Sequence, residues 1–295
     1  MLRWAAARLP LVSDEEAVHD TRVALRRMRE SILGFENCVA SVDRAKARRL
    51  RKLEAVLGPL RDAEVRLQLL DEVLGPVAVW RDRSDDPRLA RAYGTSVIAK
   101  PGDVTRPGLR GLETQARRLL ADLTAAETAA AREQMLSGPA LRTLGKLSAE
   151  PKIIHSRQSS RLARGLAQKQ LPALFRRASR RHAGEGDLHR RRIRTRRLRY
   201  RLELYGPVLS VEHRSVLEEL RGVQGMLGRF HDLAVLVEWI DSAARDQRRE
   251  LRPALRRLTV RVELEQESAK ELAEAELRRL DDAAWWQSAQ LACLG

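Results

Sequence analysis

Apolar residues along this chain recur at three- and four-residue spacing, the period of amphipathic helices, and seldom alternate as strands require. The pattern predicts first-half helices over about 14–36, 42–57, 60–74, 108–135 and 138–148. In the second half it predicts helices over about 157–181, 187–206, 211–227, 230–248 and 250–282. Breaks are expected at Gly75-Pro76, across GTSVIAKPGDVTRPG (94–108) and at Gly184–Gly186, where glycine and proline cannot carry a helix cheaply. The expected fold is all-α, a tandem of helical bundles.

The pattern also repeats. VHDTRVALRRMRESILGF (18–35) returns as LHRRRIRTRRLRYRLELY (188–205), 170 positions later. His19 maps onto His189, Arg22 onto Arg192, Arg26 and Arg27 onto Arg196 and Arg197, and Arg29 onto Arg199. The same offset aligns LRKLEAVLGPLRDAEV (50–65) with LRGVQGMLGRFHDLAV (220–235), matching Leu57, Gly58 and Asp62 with Leu227, Gly228 and Asp232. Two gapless matches at one offset mark a tandem duplication, with the halves divided near Glu150-Pro151 into 1–150 and 151–295 and expected to be related by a pseudo-twofold axis. The first copy has only 18 residues before His19, so it lacks about 13 residues of the helix that precedes the second histidine.

Placed on a helix at 100° per residue with His19 at the origin, Arg22, Arg26 and Arg29 fall at about 300°, 340° and 280°. Val18, Leu25, Met28, Ile32 and Phe35 fall between about 160° and 260°, as a separate core-facing stripe. The second copy places His189, Arg192, Arg196 and Arg199 in one strip and Leu188, Leu198, Leu202 and Tyr205 in the other. Because the basic strip adjoins the apolar one, its residues should line a seam between helices. The plain alternative is a solvated face whose arginine stems cover the core edge. Against it, residues 188–202 hold eight arginines and no acid, so repulsion along the strip calls for an external anion. Guanidinium groups about 5–6 Å apart suit successive phosphates.

His19 and His189 are open to two readings, phosphate contact at a helix N-terminus or fixing of the helix seam. Arg44, Arg48, Arg51 and Lys52 lie opposite Leu50, Leu53 and Leu57 and read as a solvated back face, although Arg51 and Arg221 occupy matched positions. Gly222, Gly225 and Gly228 each cost about 1 kcal/mol against alanine in a helix. Close helix–helix approach is the expected reason, with backbone access for phosphate as the alternative.

Charge sharpens this picture. The net charge is +16, yet residues 151–214 alone hold 18 Lys/Arg against 4 Asp/Glu, which points to a polyanionic partner. Arginine outnumbers lysine 49 to 7. A GC-rich coding sequence produces part of that bias, so position carries more weight than number. Cys38 and Cys293 have no metal or redox spacing, which fits a reduced cytoplasmic setting without metal or cofactor. No apolar run approaches the ~20 residues of a membrane span. The opening MLRWAAARLPLV, followed at once by an acidic stretch, reads poorly as a signal peptide.

The pair VHDTRVALRRMR and LHRRRIRTRRLRY, each followed by a helix ending in Leu-Gly and then an aspartate, resembles the CHAD family (conserved histidine α-helical domain) from about residue 14 to 285. The resemblance implies two helical bundles about a pseudo-twofold axis, inorganic polyphosphate binding on basic surfaces, and association with polyphosphate granules. It would make His19, Arg22, Arg26, Arg27 and Arg29 one patch, and His189, Arg192, Arg196, Arg197 and Arg199 the other. Two departures stand out: Asp20 becomes Arg190, and the first copy begins truncated. Many relatives carry a fused β-rich triphosphatase domain, and no segment here fits one. The ELEQE at 263–267 is loosely similar to the ExExK signature of tunnel triphosphatases but lacks the lysine.

The expected function is therefore non-catalytic polyphosphate binding, with Arg51 and Arg221 as further candidate contacts. An RNA- or DNA-binding module is the alternative. Single-strand binders interleave aromatic platforms with basic residues, whereas aromatics here are 4% and Trp4, Trp80, Trp285 and Trp286 lie away from the basic region. Enzymatic work on phosphate chains normally needs clustered carboxylates for metal ions, and the strips hold cations instead.

Overall fold

The computed structural model describes residues 7–9, 16–35, 44–74, 107–136, 142–146, 157–181, 186–246 and 249–295. Every regular element among them is helical: α1 (Glu16–Gly34), α2 (Arg44–Val56), α3 (Gly58–Leu74), α4 (Pro107–Leu136), α5 (Arg157–Ala178), α6 (Asp187–Tyr205), α7 (His213–Asp246), α8 (Arg252–Leu280) and α9 (Ala283–Leu294), with a 3-10 turn at Gly206–Val208. The all-α class is as the apolar period requires.

Two differences from the sequence reading have clear causes. Residues 211–227 and 230–248 belong to a single helix, α7. Its apolar positions Val216, Leu220, Val223, Leu227, Phe230, Leu233, Leu236 and Ile240 keep three- and four-residue spacing straight through Gly228, so one buried stripe holds the helix together. Burial outweighs the glycine penalty. The last helix, α9, was not expected. Asp282 caps it by accepting from the Ala284 amide at 2.9 Å, and it buries Trp286, Ala289 and Cys293. The expected breaks at 75–76 and 94–106 lie outside the described residues, as does most of the 138–148 helix, of which 142–146 are helical. Gly186 is the residue before α6, in agreement with the break expected there.

The chain divides into two compact units, each drawing segments from both sides of residue 150. One comprises 1–61, 131–228 and 272–295; the other comprises 62–130 and 229–271. The second unit has a core of Leu69, Leu70, Leu120, Leu233, Leu236, Ile240, Leu255 and Leu258. The first holds both histidine-bearing helices. In it Val18 and Leu25 of α1 pack with Leu50, Leu53 and Leu57 of α2, while Leu198, Leu202 and Tyr205 of α6 pack with Leu171 and Phe175 of α5. Where α1 meets α6, the Tyr205 hydroxyl and the Gln170 amide both donate to the Gly34 carbonyl, at 3.0 and 2.8 Å. A Cβ on Gly34 would lie 2.5 Å from Leu204 Cδ2, so this glycine is what lets the two helices close.

Candidate polyanion-binding site

The eight arginines of 190–201 do not act alike once α6 is packed. Arg191 is buried and grips the equally buried Asp281 with both guanidinium nitrogens, Nη1 at 2.8 Å. Arg201 is buried against Glu30 at 3.3 Å and donates to Gln170 at 2.8 Å. Arg190 folds back onto the Gly186 carbonyl, and Arg194 reaches the Arg180 carbonyl at the end of α5. These four serve the fold. The acids that offset them, Asp281 and Glu30, come from other elements, so the repulsion expected along the run is partly relieved from within. What remains on the strip is Arg192, Arg196, Arg197 and Arg199.

The strip of α1 meets that of α6 on the same unit. Arg27 Nε pairs with Glu203 at 3.3 Å, and Glu203 also accepts Arg199 at 3.0 Å and lies 3.6 Å from Arg221. On the α2 side, Glu54 accepts Arg26 Nε and, at 2.6 Å, Arg29 Nη1. Arg22 donates to the Glu54 carbonyl at 3.3 Å. Arg199 donates to Gln224 Oε1 at 3.0 Å and stacks on the Tyr200 ring, 4.5 Å from its centroid. The two arginine sets expected as separate patches are thus brought together, tied by Glu203. Neither Glu54, Glu203 nor Gln224 was singled out from sequence; their apolar-strip neighbours masked them, and the pairing 25 residues apart was the available signal.

The remaining candidates are exposed. His19 stands at the first turn of α1, and His189 holds the same place on α6. Arg51 is exposed on α2 with no ion pair among the described residues, alongside exposed Arg44, Arg48 and Lys52. Arg197 is exposed and unpaired among the described residues.

Electrostatics divide the strip. His19 is exposed at the surface, but the side chains crowding its imidazole partly desolvate it and lower its pKa, and the nearby Arg61 lowers it further against the opposing pull of Glu16 and Asp20. Burial also works against the charge on Arg26, but Glu54 outweighs it, with help from the Tyr200 hydroxyl, and Arg26 ends above its ordinary value. Arg196 goes the other way. Burial, then Arg26 and Arg192, push it down to about 10, because Tyr200 and Glu54 compensate too weakly. It makes no hydrogen bond or ion pair among the described residues.

The glycine triplet of α7 does not serve close helix approach. Among the described residues, a Cβ at Gly222, Gly225 or Gly228 would meet nothing within 4 Å, whereas one at Gly58 would lie 3.4 Å from Arg22 Nη1. The expectation failed because glycine spacing alone does not reveal which face a neighbour covers. Gly228 is one turn on from Gln224, which accepts from Arg199, and among the described residues nothing would meet a Cβ there.

The acids of 263–267 lie on α8, where Glu263 pairs with Arg256 and Glu267 with Lys270. No group of three or more His, Cys, Asp or Glu able to hold a metal ion occurs among the described residues. No described helix is long and apolar enough to cross a membrane.

The sequence matches the CHAD domain family over residues 2–241, and the chain belongs to that family. Its structure is similar to the crystal structure of the CHAD domain from the plant Ricinus communis, at 24% identity and a TM-score of 0.59, over 99% of this chain and 86% of that one. That likeness is one of fold. No curated protein matches the sequence significantly.

Proposed function

We propose that this chain binds inorganic polyphosphate through the joined arginine strips of α1 and α6, without chemistry on the bound chain. One observation carries the reading: Arg196 is half-buried between Arg26 and Arg192 and has no carboxylate of its own. A guanidinium held against like charges costs free energy that an external anion would return. Arg192, Arg197 and Arg199 extend the row, and the bare glycine face of α7 leaves room beside it. His19 and His189, at the helix N-termini, complete the two ends of the contact surface. Arg221 joins through Glu203, and Arg51 belongs to the wider basic field.

Polyphosphate suits this surface better than nucleic acid because the strip offers cations and no stacking platforms. Tyr200 is buried beneath Arg199, Trp286 is in the core, and Trp239 is covered by Arg66. Catalysis is disfavoured because Glu54 and Glu203, the carboxylates beside the strip, are each engaged by two or more arginines, whose charge opposes a metal ion there. We further read residues 1–150 and 151–295 as copies about a pseudo-twofold axis. The Arg29–Glu54 and Arg199–Gln224 bonds join corresponding positions, and α1 meets α6 at Glu30 and Arg201, one residue from register. Association with polyphosphate granules in the cytoplasm is the cellular corollary.

The test is competition between long-chain polyphosphate and RNA for the purified protein at fixed salt. Polyphosphate should displace RNA at much lower phosphate concentration. RNA holding its ground would favour the nucleic-acid reading.

A further inference from the structure

At one matched position beside the strip, the two ends differ by a carboxylate. Glu54 and Gln224 are 170 residues apart, in the register of the repeat. Glu54 is mostly buried and pairs with both Arg26 and Arg29. Gln224 accepts from Arg199 but brings no charge, and its Nε2 is buried without a partner among the described residues. Arg26 therefore has a carboxylate, and its counterpart Arg196 has none.

We propose that Glu54 is a built-in competing anion that closes the α1 end of the strip, and that the uncharged Gln224 leaves Arg196 open on α6, so that incoming phosphates are taken first there. This deepens the polyanion-binding reading above and rests on it. The physics is direct substitution: a phosphate approaching Arg26 or Arg29 must displace a carboxylate already in place, whereas one approaching Arg196 displaces only water. The opposite shifts of Arg26 and Arg196 agree with it. The asymmetry makes binding directional, seeded on α6 and spreading to α1 only when enough phosphates compete with Glu54.

The experiment is a salt-resolved titration with long-chain polyphosphate on the full chain. Glu54→Gln should raise affinity several-fold and steepen the salt dependence, because Arg26 and Arg29 become available to release counterions. Gln224→Glu should lower affinity on the order of ten-fold by giving Arg196 an internal anion and Arg199 a second one beside Glu203. Glu267→Gln, on the other compact unit and paired with Lys270, makes the same net-charge change as Glu54→Gln and should shift affinity less than about two-fold. Equal gains from Glu54→Gln and Glu267→Gln would overturn the inference, since only total charge would then matter. If Gln224→Glu does not fold, by thermal melting, the Glu54→Gln and Glu267→Gln comparison decides alone. No binding of polyphosphate by the unaltered protein even at low salt would overturn the functional reading as well; binding with the wrong variant order overturns only this one.

Discussion

A guanidinium's role in this protein is set by what faces it, and neighbouring arginines on one helix show the range. Arg191 and Arg201 are buried with carboxylates and serve packing; Arg192 and Arg196 are half-buried on the adjoining face, where Arg26 and Arg192 work against the charge on Arg196. If the latter grip phosphates, Arg192→Ala with Arg196→Ala should weaken polyphosphate binding and flatten the slope of log affinity against log salt by about one to two units, using the DNA value of ~0.9 per neutralised phosphate for scale. Arg44→Ala with Arg48→Ala, on the exposed face of α2, should do much less. Equal losses would mean attraction by diffuse charge.

His19 supplies a pH handle. Its pKa is below the ordinary 6.5, so as pH falls through 6.5 the unfolded chain takes the proton first, and stability falls until the folded state is protonated too, where the loss levels off at its full value. A bound phosphate chain acts in the opposite sense, favouring the imidazolium. Binding should therefore take up a proton and tighten between about pH 7.5 and 5.5, by calorimetry in buffers of different ionisation heat. His19→Gln should remove that component. An unchanged proton count in the variant would assign His19 to the helix seam instead.

At the scale of the element, α7 shows how an apolar stripe outweighs local propensity. Its three glycines interrupt neither the helix nor its buried face, and the space beside each is open. Gly222→Ala, Gly225→Ala and Gly228→Ala should each raise stability by about 0.5–1 kcal/mol in denaturant titrations, the glycine penalty recovered without a clash. Destabilisation would mean that a neighbour closes on that face after all. Gly34 is the contrast: its Cβ would strike Leu204 and Arg201, because here α1 and α6 do approach closely. Helix α9 makes a related point. Its polar serine and glutamines dilute the apolar period, and the Asp282 cap and the burial of Trp286 and Cys293 hold it in place.

For the molecule as a whole, the expected chemistry is none. Polyphosphate and nucleoside triphosphates should survive incubation with the protein, with or without magnesium, as followed by phosphate release. Turnover abolished by Glu263→Gln or Glu265→Gln would revive the tunnel-enzyme reading of 263–267. The helical class was legible in the chain, as were the spacing of the arginines and the match of 18–35 to 188–205, because these depend only on residue order and helix geometry. Arg22, Arg26, Arg29, Arg192, Arg196 and Arg199 could be placed on one face of their helices for that reason. Tertiary structure alone decided which of those arginines are occupied. Glu54 reaches Arg26 and Arg29, Glu203 reaches Arg199, and Glu30 and Asp281 take Arg201 and Arg191 beside the strip, all from positions whose own local pattern says nothing of the contact, since pairing between distant residues depends on how helices pack, and burial sets the strength of each charge. It also decided that segments from both sides of residue 150 enter each compact unit, which no helical period encodes.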